Sequence, residues 1–263
     1  MSDTNPTVDI RQFSCLDDNF GVILHLPGDD GGATIAIDVP DADPYLAVLK
    51  ETGWQLTHIL VTHHHWDHVQ GLLKLKAQTG ARVIGPELSR ERIEGLDEGV
   101  DDGDRVKLGG LEFHAIATPG HTLDQISWWA PAIGFAHTGD TLFSLGCGRI
   151  FEGDPAMMWT SMDKLSRLLP DDTRIYCGHE YTLSNARFAL TIDPDNNALA
   201  ARASEVEGLR EKGLPTLPTT MAAERATNPF LRAADPAVRA SLGMADASDA
   251  EVFAEIRRRK DSF

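Results

Sequence analysis

The alternation of apolar and polar positions in Val8-Asp9-Ile10-Arg11-Gln12-Phe13 predicts a half-buried strand, and the apolar stretch Phe20 to Leu26 predicts a second. A third, Ala33-Thr34-Ile35-Ala36-Ile37-Asp38, follows Pro27-Gly28-Asp29-Asp30-Gly31-Gly32, a hairpin-type turn. Asp38 closes that strand. Helix is expected from about Pro44 to Glu51, then a short buried strand at Ile59-Leu60-Val61, helix again to about Gln78, and a strand at Ala81-Arg82-Val83-Ile84. The acidic region from Glu87 to Asp104 reads as a surface excursion without chemistry. Further strands are expected near Arg105–Leu108, Leu111–Ala117, Ile126–Trp129, Ile133–Ala136 and Arg174–Tyr176, with a helix from about Pro155 to Leu169. After Tyr181 the strand patterns stop. Ser184 to Ile192, Ala198 to Lys212, Ala237 to Leu242 and Ser248 to Arg259 all read as helices, with Pro215 and Pro218 in a connecting loop. The pattern is that of an α/β body with a small helical appendage.

Four of these strands end in residues of metal-ligand type. Ile59-Leu60-Val61 runs into Thr62-His63-His64-His65-Trp66-Asp67-His68, so the ligand-type residues lie on a strand-to-helix turn where side chains converge. On a strand-like approach His63 and His65 share a face, and His64 points the other way. Asp67 and His68 sit where the chain turns into the helix and reach a second position close by. Leu111–Ala117 ends in Thr118-Pro119-Gly120-His121, Ile133–Ala136 in His137-Thr138-Gly139-Asp140, and Arg174-Ile175-Tyr176 in Cys177-Gly178-His179. One turn offering two pairs of ligands suggests two metal ions.

Composition narrows the classes. At 263 residues and 42% hydrophobic content the chain can bury an ordinary globular core. A net charge of −16 leaves no broad basic face for phosphates, so nucleic acid is not expected as a partner. No apolar run is long enough to span a membrane, and Met1-Ser2-Asp3-Thr4-Asn5-Pro6 lacks a signal pattern. Three scattered cysteines, Cys15, Cys147 and Cys177, argue against a disulfide framework and for a reducing cytoplasm.

The motifs THHHWDH, PGHT, TGDTLF and CGHEYT, in this order, resemble the metallo-β-lactamase superfamily. GDTLF-x-x-GCGR-x-FEG over 139–153, HEYT over 179–182, NPFLR over 228–232 and the terminal RRRKDSF over 257–263 narrow the resemblance to glyoxalase II, the hydroxyacylglutathione hydrolases. It implies an α/β fold, an αββα sandwich of two mixed sheets over 1–182, followed by a small C-terminal all-α domain over 183–263 that helps bind glutathione. Carried over by position, His63, His65 and His121 resemble the ligands of a first metal; Asp67, His68 and His179 resemble those of a second. Asp140 resembles the bridging carboxylate. The implied cofactors are two divalent metal ions, zinc first, with iron or manganese also suited to His/Asp ligands.

The implied reaction is hydrolysis of the thioester of S-D-lactoylglutathione to glutathione and D-lactate, the second step of methylglyoxal detoxification. Asp67 and Asp140 carry its chemistry, and a monomer is expected. The resemblance makes Arg149, Tyr181, Arg257 and Lys260 the contacts to glutathione. Phe151 and Arg149 stand where the family often has Tyr and Lys, which bears on affinity rather than on the reaction. Two other readings remain at this point: a glutathione persulfide dioxygenase with a single iron, and a non-catalytic metal-binding protein.

Overall fold

The computed structural model describes residues 7–28 and 32–263. The hairpin-type turn at 27–32 falls partly, and the first six residues fall wholly, outside the described residues. The chain divides into two compact units, one taking residues up to 117 and 124–139, the other 118–123 and 140–263.

The first unit opens with β1 (Asp9–Cys15), β2 (Asn19–Leu26) and β3 (Ala33–Ile37), continues through helix α1 (Ala42–Thr52) to β4 (His58–Leu60), then α2 (Trp66–Val69), α3 (Leu72–Thr79), β5 (Arg82–Pro86) and β6 (Glu98–Val100). The six strands lie in sequence order in one sheet. β1, β2 and β3 pair antiparallel, while β3 through β6 pair parallel, with Ile37 opposite Leu60 and Leu60 opposite Ile84. Parallel neighbours need a crossover, and α1 and the α2–α3 pair supply it. Along these strands Ile23, Ala36, Ile59 and Val83 form one row. They pack with Tyr45 and Leu49 of α1 and Leu72 and Leu75 of α3. The alternate row, Leu24, Ile35, Ile37, Leu60 and Ile84, is also buried, which explains why these strands read as near-continuous apolar runs.

A second set of strands, β7 (Arg105–Leu108), β8 (Leu111–Ala117), β9 (Ile126–Ala130) and β10 (Phe135–His137), pairs antiparallel in sequence order. It is tied to the first sheet where β4 ends: the Trp128 indole donates to the Val61 carbonyl at 3.0 Å, and Ile126 N donates to the Thr62 carbonyl at 2.8 Å.

The second unit contains a short hairpin of β11 (Leu142–Phe143) and β12 (Gly146–Cys147), then α4 (Pro155–Leu168), β13 (Arg174–Tyr176), α5 (Thr182–Ile192), α6 (Asn197–Glu211), β14 (Thr219–Thr220), α7 (Met221–Thr227), α8 (Pro236–Leu242) and α9 (Asp249–Asp261). Helix starts are set by local chemistry. Asp154 caps α4 by accepting from Met157 N, and Ser248 and Glu251 form a reciprocal capping box on α9.

The structure departs from the sequence reading in four places. The acidic excursion contains β6, which carries a single Val and is held by backbone pairing to β5 and by Asp97, whose carboxylate accepts from Val83 N and from the Lys76 ammonium. The helix expected after His68 is broken into α2 and α3 at Gln70-Gly71. The strand expected from Ile133 starts at Phe135, because Pro131–Ile133 forms a 3₁₀ turn. After Tyr181 strand structure does not stop: Thr219 pairs with Ile175, and α7 follows at once.

The break at Gly71 comes from a close approach. Gly71 N donates to Val39 O at 3.0 Å, Val39 N donates to His68 O at 2.7 Å, and a Cβ on Gly71 would lie 2.5 Å from Ala42 N. The loop after β3 is thereby clamped to the turn that carries His68. Gly71→Ala is expected to overpack this contact and cost about 1–3 kcal/mol. A urea midpoint equal to that of the unaltered chain would show that the contact yields without cost.

Candidate metal centre

In the first unit one side chain organises the histidine turn. Asp38 follows β3 with a left-handed φ of 53° and is 2% exposed. Its Oδ1 accepts from Thr62 N at 2.7 Å, and its Oδ2 accepts from the Thr62 hydroxyl at 2.8 Å and from His68 Nδ1 at 2.8 Å. A carboxylate only accepts, so the proton of His68 sits on Nδ1 and the lone pair on Nε2. The Thr62 hydroxyl gives its proton to Asp38, so at 3.0 Å it accepts from His63 Nδ1. His63 takes the same tautomer. Both rings thus present Nε2 as a ligand, the arrangement in which outer hydrogen bonds fix the orientation of metal-binding imidazoles.

His63 and His68 are buried, with ring centroids 4.2 Å apart, and His65 lies 4.8 Å from His63. Asp67 Oδ2 lies 3.6 Å from His68 Nε2 and accepts from Asn19 Nδ2 of β2 at 3.2 Å. His64 is held otherwise. Its Nδ1 donates to Asp124 Oδ1 at 2.9 Å, its backbone N donates to Asp124 Oδ2 at 3.1 Å, and Arg92 donates to its Nε2 at 3.2 Å. His64 is thus engaged through both its backbone and its ring by the Asp124 carboxylate.

In the second unit, His121, Asp140 and His179 are buried to 5% exposure or less. The Nε2 atoms of His121 and His179 lie 3.5 Å and 3.3 Å from the same atom, Asp140 Oδ2. His121 Nδ1 donates to the Arg149 carbonyl at 2.7 Å, which again leaves Nε2 as the ligand atom. The His179 ring stacks on Tyr181 at 4.8 Å with planes 2° apart. Burial pushes the pKa of the Cys177 thiol, close by in sequence, far up.

Of the four residues assigned to glutathione, Arg149 is exposed, with Asp261 at 3.9 Å. Tyr181 is partly exposed. Arg257, at 6% exposure, donates to the Cys147 carbonyl at 3.0 Å, pairs with Asp261 at 2.8 Å and lies over the Phe230 ring. Lys260, one helical turn on, donates to Ser184 Oγ at 3.1 Å. Burial pushes its pKa down to about 8, with the Arg257 guanidinium adding to the effect.

Two models of protein families match adjoining stretches of the chain: the metallo-beta-lactamase superfamily over 27–179 and the hydroxyacylglutathione hydrolase C-terminus over 180–263. A hydroxyacylglutathione hydrolase of Maricaulis maris (strain MCS10) is 56% identical over 97% of this chain and 98% of its own length. One from Mesorhizobium japonicum is 55% identical over 97% and 99%. This chain belongs to the hydroxyacylglutathione hydrolase family. Among solved structures, ETHE1 from Myxococcus xanthus superposes with a TM-score of 0.67 at 26% identity, covering 95% of this chain and 90% of that one. The fold class is the αββα metallo-β-lactamase sandwich followed by a C-terminal helical region. Imidazoles turned to present Nε2, together with carboxylates, make a donor set that suits divalent metal ions.

The residues that aim these ligand-type side chains carry no mark of that role in the sequence. Asp38 was visible as a carboxylate closing an apolar strand, the same signal that marked Asp140, but nothing local linked it to His68, 30 positions away. Asn19 and Asp124 carried no signal. Asp38→Asn preserves shape but places an amide N–H against at least one donor among Thr62 N, Thr62 Oγ1 and His68 Nδ1. His68 is then driven toward the tautomer with its proton on Nε2. Zinc affinity of the metal-free protein is expected to fall ~10- to 100-fold; titration with zinc showing less than a twofold change would remove Asp38 from this role.

Proposed function

We propose that this chain hydrolyses the thioester of S-(2-hydroxyacyl)glutathione, S-D-lactoylglutathione above all, to glutathione and the 2-hydroxy acid, as the second step of methylglyoxal detoxification. The full-length likeness to proteins named hydroxyacylglutathione hydrolase carries this reading. The match of 180–263 to the C-terminal model peculiar to that family supports it. In this reading His63, His65 and His121 would hold one ion and Asp67, His68 and His179 a second, with Asp140 a ligand shared by both. Zinc is the first choice of metal. The division into a catalytic domain over 1–182 and a glutathione-binding domain over 183–263 belongs to the same proposal, as do a monomer and a cytoplasmic location. Among the described residues no helix is long and apolar enough to cross a membrane.

Divalent ions held by these residues would supply a water of lowered pKa, toward ~7, and polarisation of the thioester carbonyl. The chain itself supplies orientation. Asp67 Oδ2, steadied by Asn19 Nδ2 at 3.2 Å, is the acceptor for a proton of the attacking water. The departing group is a thiolate whose conjugate acid has a pKa of about 8.5, so it leaves without a dedicated proton donor. Arg149, Tyr181, Arg257 and Lys260 receive the peptide part of glutathione, whose carboxylates need local cations on a chain of net charge −16. Arg257 already holds the Cys147 carbonyl, which supports a share for it in shaping the pocket as well as in contact.

The reading is tested by assaying S-D-lactoylglutathione hydrolysis with metal content measured on the same sample. Two metals and turnover are expected; one iron with O₂ uptake on glutathione persulfide would overturn it. In the same assay His63→Ala and Asp140→Ala are expected to lose at least one metal and most activity, and His64→Ala to keep both metals. Equal metal loss in all three would refute the ligand assignment. Lys260 is charged below about pH 8 and neutral above it, so KM is expected to climb as pH rises through that value. Charge-assisted bonds to a carboxylate contribute ~1.5–3 kcal/mol, so Lys260→Ala should raise KM about tenfold or more with kcat nearly unchanged. Lys260→Arg should give a KM flat across this pH window. A collapse of kcat at constant KM would instead place Lys260 in transition-state stabilisation.

A further inference from the structure

Asp140 and Arg149 are joined by the β11–β12 hairpin, and every residue from Asp140 to Gly148 is buried. Strands of two residues cannot satisfy their outward-facing backbone groups, and burial denies them water. The partners come from the later helices. Asn228, which ends α7, donates Nδ2 to Phe143 O at 3.1 Å and Gly146 O at 2.9 Å. Asn185 of α5 donates to Ser144 O at 3.1 Å, and Arg257 of α9 to Cys147 O at 3.0 Å. Glu224 of α7, 0% exposed, accepts from Leu145 N at 2.8 Å and Ser144 Oγ at 3.0 Å. It also accepts from Thr219 Oγ1 at 2.8 Å and Asn228 Nδ2 at 3.0 Å. The hydrogen bond to Leu145 N falls where the hairpin is least favourable, because Leu145 has a left-handed φ of 58°.

The grip passes directly to two ligand-type residues. A Cβ on Gly148 would lie 1.8 Å from the Asp140 carbonyl oxygen, so the chain leaving the hairpin lies flat against the backbone of Asp140. Gly148 N donates to Thr141 O at 3.1 Å. One residue on, the Arg149 carbonyl accepts from His121 Nδ1 at 2.7 Å. A shift of the hairpin therefore moves both the Asp140 carboxylate and the acceptor that orients His121.

We propose that Asn228, Asn185 and Glu224 are positioning residues of the metal-dependent reaction. They hold the 142–147 hairpin so that Asp140 and His121 keep the geometry divalent ions require. The helical region thereby acts on the metal ligands as well as on the peptide of the substrate. The proposal rests on the reading of His121 and Asp140 as ligands.

The test uses the full-length zinc-loaded protein and measures three quantities: zinc transfer to a chromophoric chelator, kcat and KM on S-D-lactoylglutathione, and the thermal midpoint. Asn228→Ala and Asn185→Ala are expected to release zinc about tenfold faster or more and to lose about tenfold in kcat, with KM within twofold. Val206→Ala truncates a buried side chain of α6. It serves as the control for lost stability, and should lower the midpoint while leaving zinc release and kcat within twofold. Glu224→Gln should rescue what Glu224→Ala loses, because its amide oxygen can take Leu145 N and Asn228 Nδ2 while the Ser144 and Thr219 hydroxyls rotate to accept from its NH₂. Zinc release and kcat in both asparagine variants equal to those of Val206→Ala would overturn the proposal. Should Asn228→Ala not fold, Asn185→Ala decides alone, since it removes a single hydrogen bond. Absence of thioester hydrolysis in the unaltered protein would sink the functional reading, and the zinc-release comparison would still stand.

Discussion

The carboxylate of Asp38 is the constraint on which the histidine turn depends. It accepts three hydrogen bonds, two of them on Oδ2, and those two set the protonation pattern of the site. One fixes the His68 tautomer directly; the other fixes that of His63 through the Thr62 hydroxyl. A left-handed backbone at a non-glycine residue costs on the order of 1–3 kcal/mol. Hydrogen bonds to a charged group contribute about 1.5–3 kcal/mol each, so three of them outweigh the strain. The strain is therefore affordable where it stands, and aspartate is among the residues that tolerate this conformation best.

The second unit reaches the same result by another route. At His121 a main-chain carbonyl, that of Arg149, takes the Nδ1 proton. A carbonyl can orient a ring only as well as its own segment is fixed. That segment leaves a buried hairpin whose polar groups are satisfied by α5, α7 and α9 rather than by neighbouring strands. This explains why residues 140–179 group compactly with the C-terminal helices although the family models divide the chain at 179/180.

The sequence marks side chains of ligand type at strand ends but not what aims them. Strand ends bearing His or Asp are local signals, visible as an apolar run that stops at a ligand-type residue. The position of His64 followed from strand periodicity, and the structure gives it a carboxylate of its own in Asp124. Asp38, Asn19, Asn185 and Asn228 act across 30 to 85 positions of chain, and no period or motif connects them to their targets. The overlooked β6 and β14 have the same origin. Each is only two or three residues long, and each exists because a neighbouring strand offers its edge. Apolar periodicity cannot report on an element that contributes backbone rather than side chains.

At the cationic end of α9, burial and neighbouring charge set the basic side chains Arg257 and Lys260 apart. Asp261 engages Arg257 at 2.8 Å and lies 3.9 Å from Arg149, so part of the positive charge is already answered from within. Lys260 differs, because it donates to the neutral Ser184 and its ammonium lies 5.3 Å from the centres of both the Phe188 and the Phe263 rings. Removed from water and set beside Arg257, its ammonium is disfavoured at mildly alkaline pH. On the proposed reading, a ligand carboxylate supplies the charge that this environment lacks, and binding restores the proton. A fully hydrated lysine would gain less from the same contact, because it would first have to give up its water. On that reading, selectivity for an anionic peptide follows from a half-buried cation that donates to a neutral serine rather than from the overall charge, which has the opposite sign.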